Sequence, residues 1–169
     1  MLAIYTGLRQ GELLGIHRED VDLEKGVVHV RHQISAIRGQ GLTITEPKTD
    51  MARRPVTIPE SAIKVLRSHL ENIEDGPGLI FTTSTGKPNS PRNLLRHFKA
   101  VIEKTGLPEI RFHDLRHTHA TLLLVAGVHP KVVQERLGHS QISLTLDTYS
   151  HVIPSMQTEA ADQFEAIIS

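Results

Sequence analysis

From residue 90 onward the chain is punctuated at intervals that suit helices and little else. Ser90-Pro91 makes a sound N-cap and first helical position, because the hydroxyl can accept an orphan N–H and proline has none to leave unpaired. The segment it opens carries Leu94, Leu95, Phe98, Val101 and Ile102 and ends near Gly106. A second helix is predicted over 113–126, with Leu115, Leu122, Leu123 and Val125 as its buried positions and Gly127 as its stop. Pro130 opens a third, which ends at Gly138, and 143–151 reads as a fourth. Pro154 breaks that one, and 155–169 reads as an amphipathic tail helix.

The first half is mixed. Met1–Tyr5 reads as the end of a helix, broken by Gly7, and 10–16 as a short helix with Leu13, Leu14 and Ile16 inward. Val27–Arg31, Leu42–Thr45 and Pro55–Ile58 are strand candidates, with turns over 39–41 and 48–54. They predict one small antiparallel sheet of about three strands. A helix is predicted from Pro59 to about Ile73, with Ile63, Val65, Leu66 and Leu70 apolar, then a turn over 75–78 and a short strand over 79–81. The fold class is mixed α+β, predominantly helical, in one domain over 1–169.

Bulk properties exclude several classes of function. There is no cysteine, so disulfides, zinc–thiolate sites and thiol nucleophiles are ruled out together. No apolar run is long enough to span a membrane. The formal net charge is zero, but it is unevenly spread. Residues 87–117 hold seven Lys or Arg against three acids, and residues 145–169 hold four acids and no Lys or Arg. A basic middle can face a phosphate backbone, and an acidic tail suits protein contacts; both also read as solvated faces.

Five places carry candidate chemistry. Arg9 follows Gly7 at the start of a short helix, where Glu12 can pair with it and hold its fork of donors; it also reads as a surface ion pair. Lys48 lies in a turn between strands, ahead of Arg53 and Arg54. His113 and Arg116 stand three apart, on one helix face near an N-terminus that favours an anion. His139 follows Gly138 at a helix end, the usual place of a C-capping histidine. Tyr149 lies ten residues later; alone, it reads as a half-buried structural tyrosine.

In order, Thr6-Gly-Leu-Arg9-Gln-Gly-Glu-Leu, Pro47-Lys48-Thr, His113-Asp-Leu-Arg116-His, Leu137-Gly-His139-Ser and Tyr149 resemble the tyrosine recombinase, or phage integrase, family over nearly the whole chain. The resemblance implies a catalytic domain that cuts and rejoins double-stranded DNA. Tyr149 would be the nucleophile, forming a 3′-phosphotyrosyl link and freeing a 5′-hydroxyl. Arg9 and Arg116 would bind the non-bridging oxygens and His139 would donate to them. His113 would accept the tyrosine's proton, and Lys48 would protonate the leaving oxygen. A tyrosine has a pKa of about 10, so its phenolate at neutral pH is disfavoured by roughly 4 kcal/mol and a proton acceptor is needed. The scheme requires no metal and no nucleotide cofactor, since arginines supply the positive charge and the covalent link conserves the bond energy. The family's N-terminal DNA-binding part is expected ahead of Met1. A cytoplasmic setting, in a bacterium or encoded by a phage, goes with the resemblance.

Ala160, Phe164, Ile167 and Ile168 form an apolar stripe in the tail, which by the same resemblance docks on a neighbour in a DNA-bound tetramer or packs on its own domain. Rival functions are a type IB topoisomerase-like enzyme, a non-catalytic DNA-binding relative, and a metal-dependent hydrolase built on His113, His117 and His119. The hydrolase alone would stop in chelator.

Overall fold

The computed structural model describes residues 1–37, 39–47, 49–73, 78–149 and 156–168. Helices α1 (Leu2–Thr6) and α2 (Gln10–Leu14) lead into a 3-10 turn at Arg18–Asp20. Strands β1 (Val21–Asp22), β2 (Val27–Val30), β3 (Gln33–Ile37), β4 (Gly41–Thr45) and β5 (Arg54–Thr57) follow. Helices α3 (Glu60–Glu71), α4 (Pro91–Thr105), α5 (Asp114–Val125), α6 (Pro130–Leu137), α7 (Ile142–Tyr149) and α8 (Met156–Ile168) complete the described chain. The predominantly helical α+β class expected from the sequence is the observed one.

The strands assemble differently from the expectation. An antiparallel sheet runs β1-β2-β5, with Val28 opposite Val56. The segment at Leu42–Thr45 does not join it. It pairs instead with β3, which is not among the strands expected above, in a separate hairpin with Ile34 opposite Ile44. Local pairing across a short turn closes the smaller loop, and β3 is held from behind by α2. Two glycines permit that approach. A Cβ on Gly11 would lie 2.7 Å from the Ile34 carbonyl oxygen, and one on Gly15 2.7 Å from the Gln33 Cα. The expected strand at 79–81 is only a single bridge from Leu79 to His17, although Ile80 is fully buried there.

The main core gathers Leu8, Leu13 and Ile16 from the α1–α2 region, Val28, Val30, Val56 and Ile58 from the sheet, and Leu66 and Leu70 from α3. Each such side chain contributes about 1.5–3 kcal/mol by leaving water. Val65, read as apolar-inward, is exposed. A second cluster joins Ala120 and Leu124 of α5 to Val133 and Leu137 of α6 and to Tyr149 of α7.

Helix α5 meets the expectation in part: Leu115 packs against the main core and Leu123 against the second cluster. Leu122 and Val125 are exposed, while Arg116, His119, Ala120 and Leu124 are buried. Positions 116, 120 and 124 share one face at helical spacing, so a charged side chain leads the inward stripe. That face packs against α1 and α6, and the bonds of Arg116 to Gly7 and Leu137 and of His119 to Ile4 hold it there.

Candidate active site

Arg9 is the N-cap of α2, and Glu12 closes a capping box on it. The Arg9 backbone N–H donates to Glu12 Oε2 at 2.9 Å, and Arg9 Nη1 to Oε1 at 2.8 Å. Glu12 is only 2% exposed. Burial alone would raise its pKa, but the Arg54 guanidinium and then Arg9 overcome this and hold it below the usual carboxylate value. Arg54 reaches the same carboxylate at 3.3 and 3.1 Å and also donates through Nε to the Arg136 carbonyl at 2.6 Å. One buried carboxylate thus fixes two arginines.

Arg116 is buried at the centre. Its Nη1 donates to the Gly7 carbonyl and its Nη2 to the Leu137 carbonyl, each at 2.7 Å. Gly7 lies two residues before Arg9, and Leu137 two before His139. A single guanidinium therefore ties together the loops that carry both. Burial, with Arg9 nearby, pulls its pKa down to about 9, which leaves it cationic at neutral pH.

His139 follows Gly138, a left-handed C-cap whose missing Cβ leaves room for Arg54; a Cβ would fall 2.6 Å from its Nη1. The ring Nδ1 of His139 lies 2.9 Å from the Oγ1 of Thr145, a fully buried residue of α7. Burial, then Arg116 and Arg9, lower the His139 pKa to about 4, so the ring is neutral. His113, the N-cap of α5, is exposed, and its pKa is lowered by partial burial and by His117, Arg116 and Arg9. Tyr149 is 3% exposed, and burial raises its pKa against the pull of Arg116.

Arg116 and Arg9 thus both act on His113 and His139, and Arg116 acts on Tyr149. Lys48 lies outside the described residues. Its flanks Glu46 and Arg53 form an ion pair. The residue on the Tyr149 hydroxyl is His117, with Nδ1 3.0 Å away, rather than His113. No sequence signal pairs two residues 32 apart. Arg54 did carry one: it is in phase with Val56 on β5 and with Ile58 just beyond it, an arginine on the inward side of a strand.

The three histidines of the hydrolase reading do not converge as a set: the His113 and His117 rings meet with centroids 4.9 Å apart, but His119 stands away from them. His119 turns the other way. Its Nε2 accepts from Arg136 Nε at 2.9 Å, so Nδ1 carries the proton and donates to the Ile4 carbonyl. Among the described residues the grouping with metal-like proximity is His17, Asp20 and His32. There Asp20 already accepts from the His17 backbone N–H and from Arg31.

The chain belongs to the phage integrase family, whose sequence pattern matches residues 1–156. Its relatives include a XerC-like tyrosine recombinase of Caldanaerobacter subterraneus subsp. tengcongensis, 40% identical over 96% of this chain and 47% of the relative. The ICEBs1 integrase of Bacillus subtilis is 30% identical over 99% of this chain and 48% of that protein. The fold is similar to that of the Tn1549 transposon integrase solved in complex with a circular intermediate DNA, with a TM-score of 0.83 at 29% identity over 96% of this chain and 56% of that one. The XerA recombinase superposes with a TM-score of 0.75 at 25% identity, over 94% of this chain and 54% of that one. The chain spans about half the length of the curated relatives it matches.

Proposed function

We propose that this chain is the catalytic domain of a site-specific DNA recombinase that cuts and rejoins strands of double-stranded DNA through Tyr149. The observation that carries the reading is the meeting of the buried Tyr149 with the Arg116–His117 pair of α5. In this scheme Arg9 and Arg116 hold the non-bridging oxygens, where the remaining guanidinium donors can form charge-assisted bonds. His139, neutral and oriented by Thr145, donates one more hydrogen bond. His113 stands exposed beside them, ready to meet the phosphate. Lys48 protonates the leaving 5′-oxygen. The transesterification conserves the phosphodiester's energy, so no nucleotide is consumed. The setting is the cytoplasm of a bacterium, where relatives of bacterial and phage origin would act.

A nicked suicide duplex incubated with the full-length parent protein tests this reading. A covalent adduct should form in the presence of EDTA and without nucleotide, and the modified peptide should contain Tyr149. Loss of the adduct in EDTA, or attachment through Tyr5, would overturn it.

The tail is assigned to assembly. All described side chains of α8 are exposed, Phe164 at 64%, Ile167 at 81% and Ile168 at 67%. A stripe of this kind on a single helix calls for a partner surface, which we place on a neighbouring protomer in a DNA-bound tetramer. Deleting residues 155–169 should weaken assembly on DNA by about tenfold or more, with a much smaller loss of single-protomer DNA contact; roughly 1.4 kcal/mol of lost interface suffices for that factor. Equal loss of both, or of neither, in sedimentation and gel-shift measurements would refute docking in trans.

A further inference from the structure

We propose that His117 holds the Tyr149 hydroxyl in place and receives its proton when the tyrosine attacks; the inference rests on the recombinase reading above. Nδ1 of His117 and the hydroxyl oxygen lie 3.0 Å apart. Among the described residues, the hydroxyl has no other hydrogen-bonding partner. A neutral phenol buried to this degree donates where an acceptor stands. Nδ1 is therefore the acceptor, and His117 carries its own proton on Nε2.

The ring that accepts is itself fixed. His117 sits on α5 directly after Arg116, whose two bonds to Gly7 and Leu137 anchor that turn of the helix. The His113 ring meets it edge-on with centroids 4.9 Å apart, and the Tyr149 ring lies 6.0 Å away at 57°. His113 thus bears on the nucleophile through His117, not by touching it.

The Tyr149 oxygen forms a bond to phosphorus, and the bond from phosphorus to the 5′-oxygen breaks. The phenolic proton passes to Nδ1 of His117, and the leaving oxygen takes a proton from the general acid, Lys48 in the scheme above. The imidazolium so formed follows Arg116 on the helix, which alone would disfavour it, and in this scheme the negative charge of the phosphate held by Arg9 and Arg116 offsets that cost. On rejoining, the 5′-hydroxyl attacks phosphorus and gives its proton back to Lys48, the bond from phosphorus to the tyrosine oxygen breaks, and Nδ1 returns the proton to that oxygen.

Single-turnover cleavage of the nicked duplex by the full-length protein tests the assignment. His117→Ala should slow adduct formation by about 10²- to 10⁴-fold, the usual range for a lost proton acceptor. DNA affinity and circular dichroism should not change. His117→Gln can still accept the hydrogen bond but cannot take a proton, so it should remain slow. Added imidazole should restore cleavage to the alanine variant. Replacing the leaving 5′-oxygen by sulfur, which departs without a proton, should not restore it, because the defect lies at the nucleophile. A wild-type rate in His117→Gln, rescue by the sulfur substrate, or an alanine variant within about threefold of wild type would each overturn the proposal. An absence of adduct from the wild-type protein would instead refute the recombinase reading.

Discussion

Tyr149→Phe is expected to leave no detectable covalent protein–DNA adduct while yielding a folded protein that still binds its DNA. The substitution removes one oxygen from a side chain packed among Ala120, Leu124, Val133 and Leu137. The ring and its apolar contacts stay, and only the hydrogen bond to His117 is lost. That bond contributes about 1 kcal/mol to stability. In a domain of this size such a loss lowers Tm by about 2–4 °C. The chemical loss is of another order, because no other side chain can take over the bond to phosphorus. Tyr5 is the sole other tyrosine. It packs against the main core, and its carbonyl accepts from Arg136, which also donates to His119. Tyr5→Phe should therefore form adduct at the wild-type rate. Adduct from Tyr149→Phe in a denaturing gel, or a Tm loss several times larger than stated, would separate the nucleophile assignment from the packing role.

Much of this was legible in the residues, and what was not has physical causes. The helices after Ser90 follow from their caps, since Ser90 accepts from Asn93 and Gly106, Gly127 and Gly138 all take positive φ. Those are local effects, and local effects survive folding. The β3–β4 hairpin is hard to read because the alternation of Gln33–Ala36 is only four residues long and ends at Ile37, and α2, a tertiary neighbour, packs on β3. The rotation of α5 was misjudged for a related reason. Leucines at 122 and 123 and Val125 invite an inward reading, but Arg116 and His119 hold that face through bonds to Gly7, Leu137 and Ile4, each distant in sequence. Burying two basic side chains is unfavourable in isolation; those carbonyls, with Glu12 near Arg116 and Arg136 on His119, make it tolerable. The motif residues were readable as a set; the partner of the nucleophile and the Glu12–Arg54 bond were not, because they depend on which faces meet.

The same bonds make Arg116 the position where fold and chemistry are hardest to separate, and a paired substitution can separate them. Arg116→Ala should reduce cleavage by more than about 10³-fold, since transition-state donors of this kind are each worth about 2.7–4 kcal/mol. It should also destabilise the domain. The Gly7 and Leu137 carbonyls would lose their donors inside the protein, at about 1–3 kcal/mol each. For a domain of this length the sum corresponds to a Tm drop of roughly 5–20 °C. The loops bearing Arg9 and His139 would loosen together, because one guanidinium ties both. Arg116→Lys keeps a positive charge but replaces the planar fork with one ammonium, which cannot span two carbonyls and a phosphate. It should recover part of the DNA affinity at low salt, little of the cleavage rate, and only part of the Tm. If charge alone mattered, the lysine variant would cleave at close to the wild-type rate, and the clamp described here would be wrong. If the clamp is right, protease sensitivity in the loops at Gly7–Arg9 and Gly138–Gln141 should rise in both variants, and rise further in alanine than in lysine.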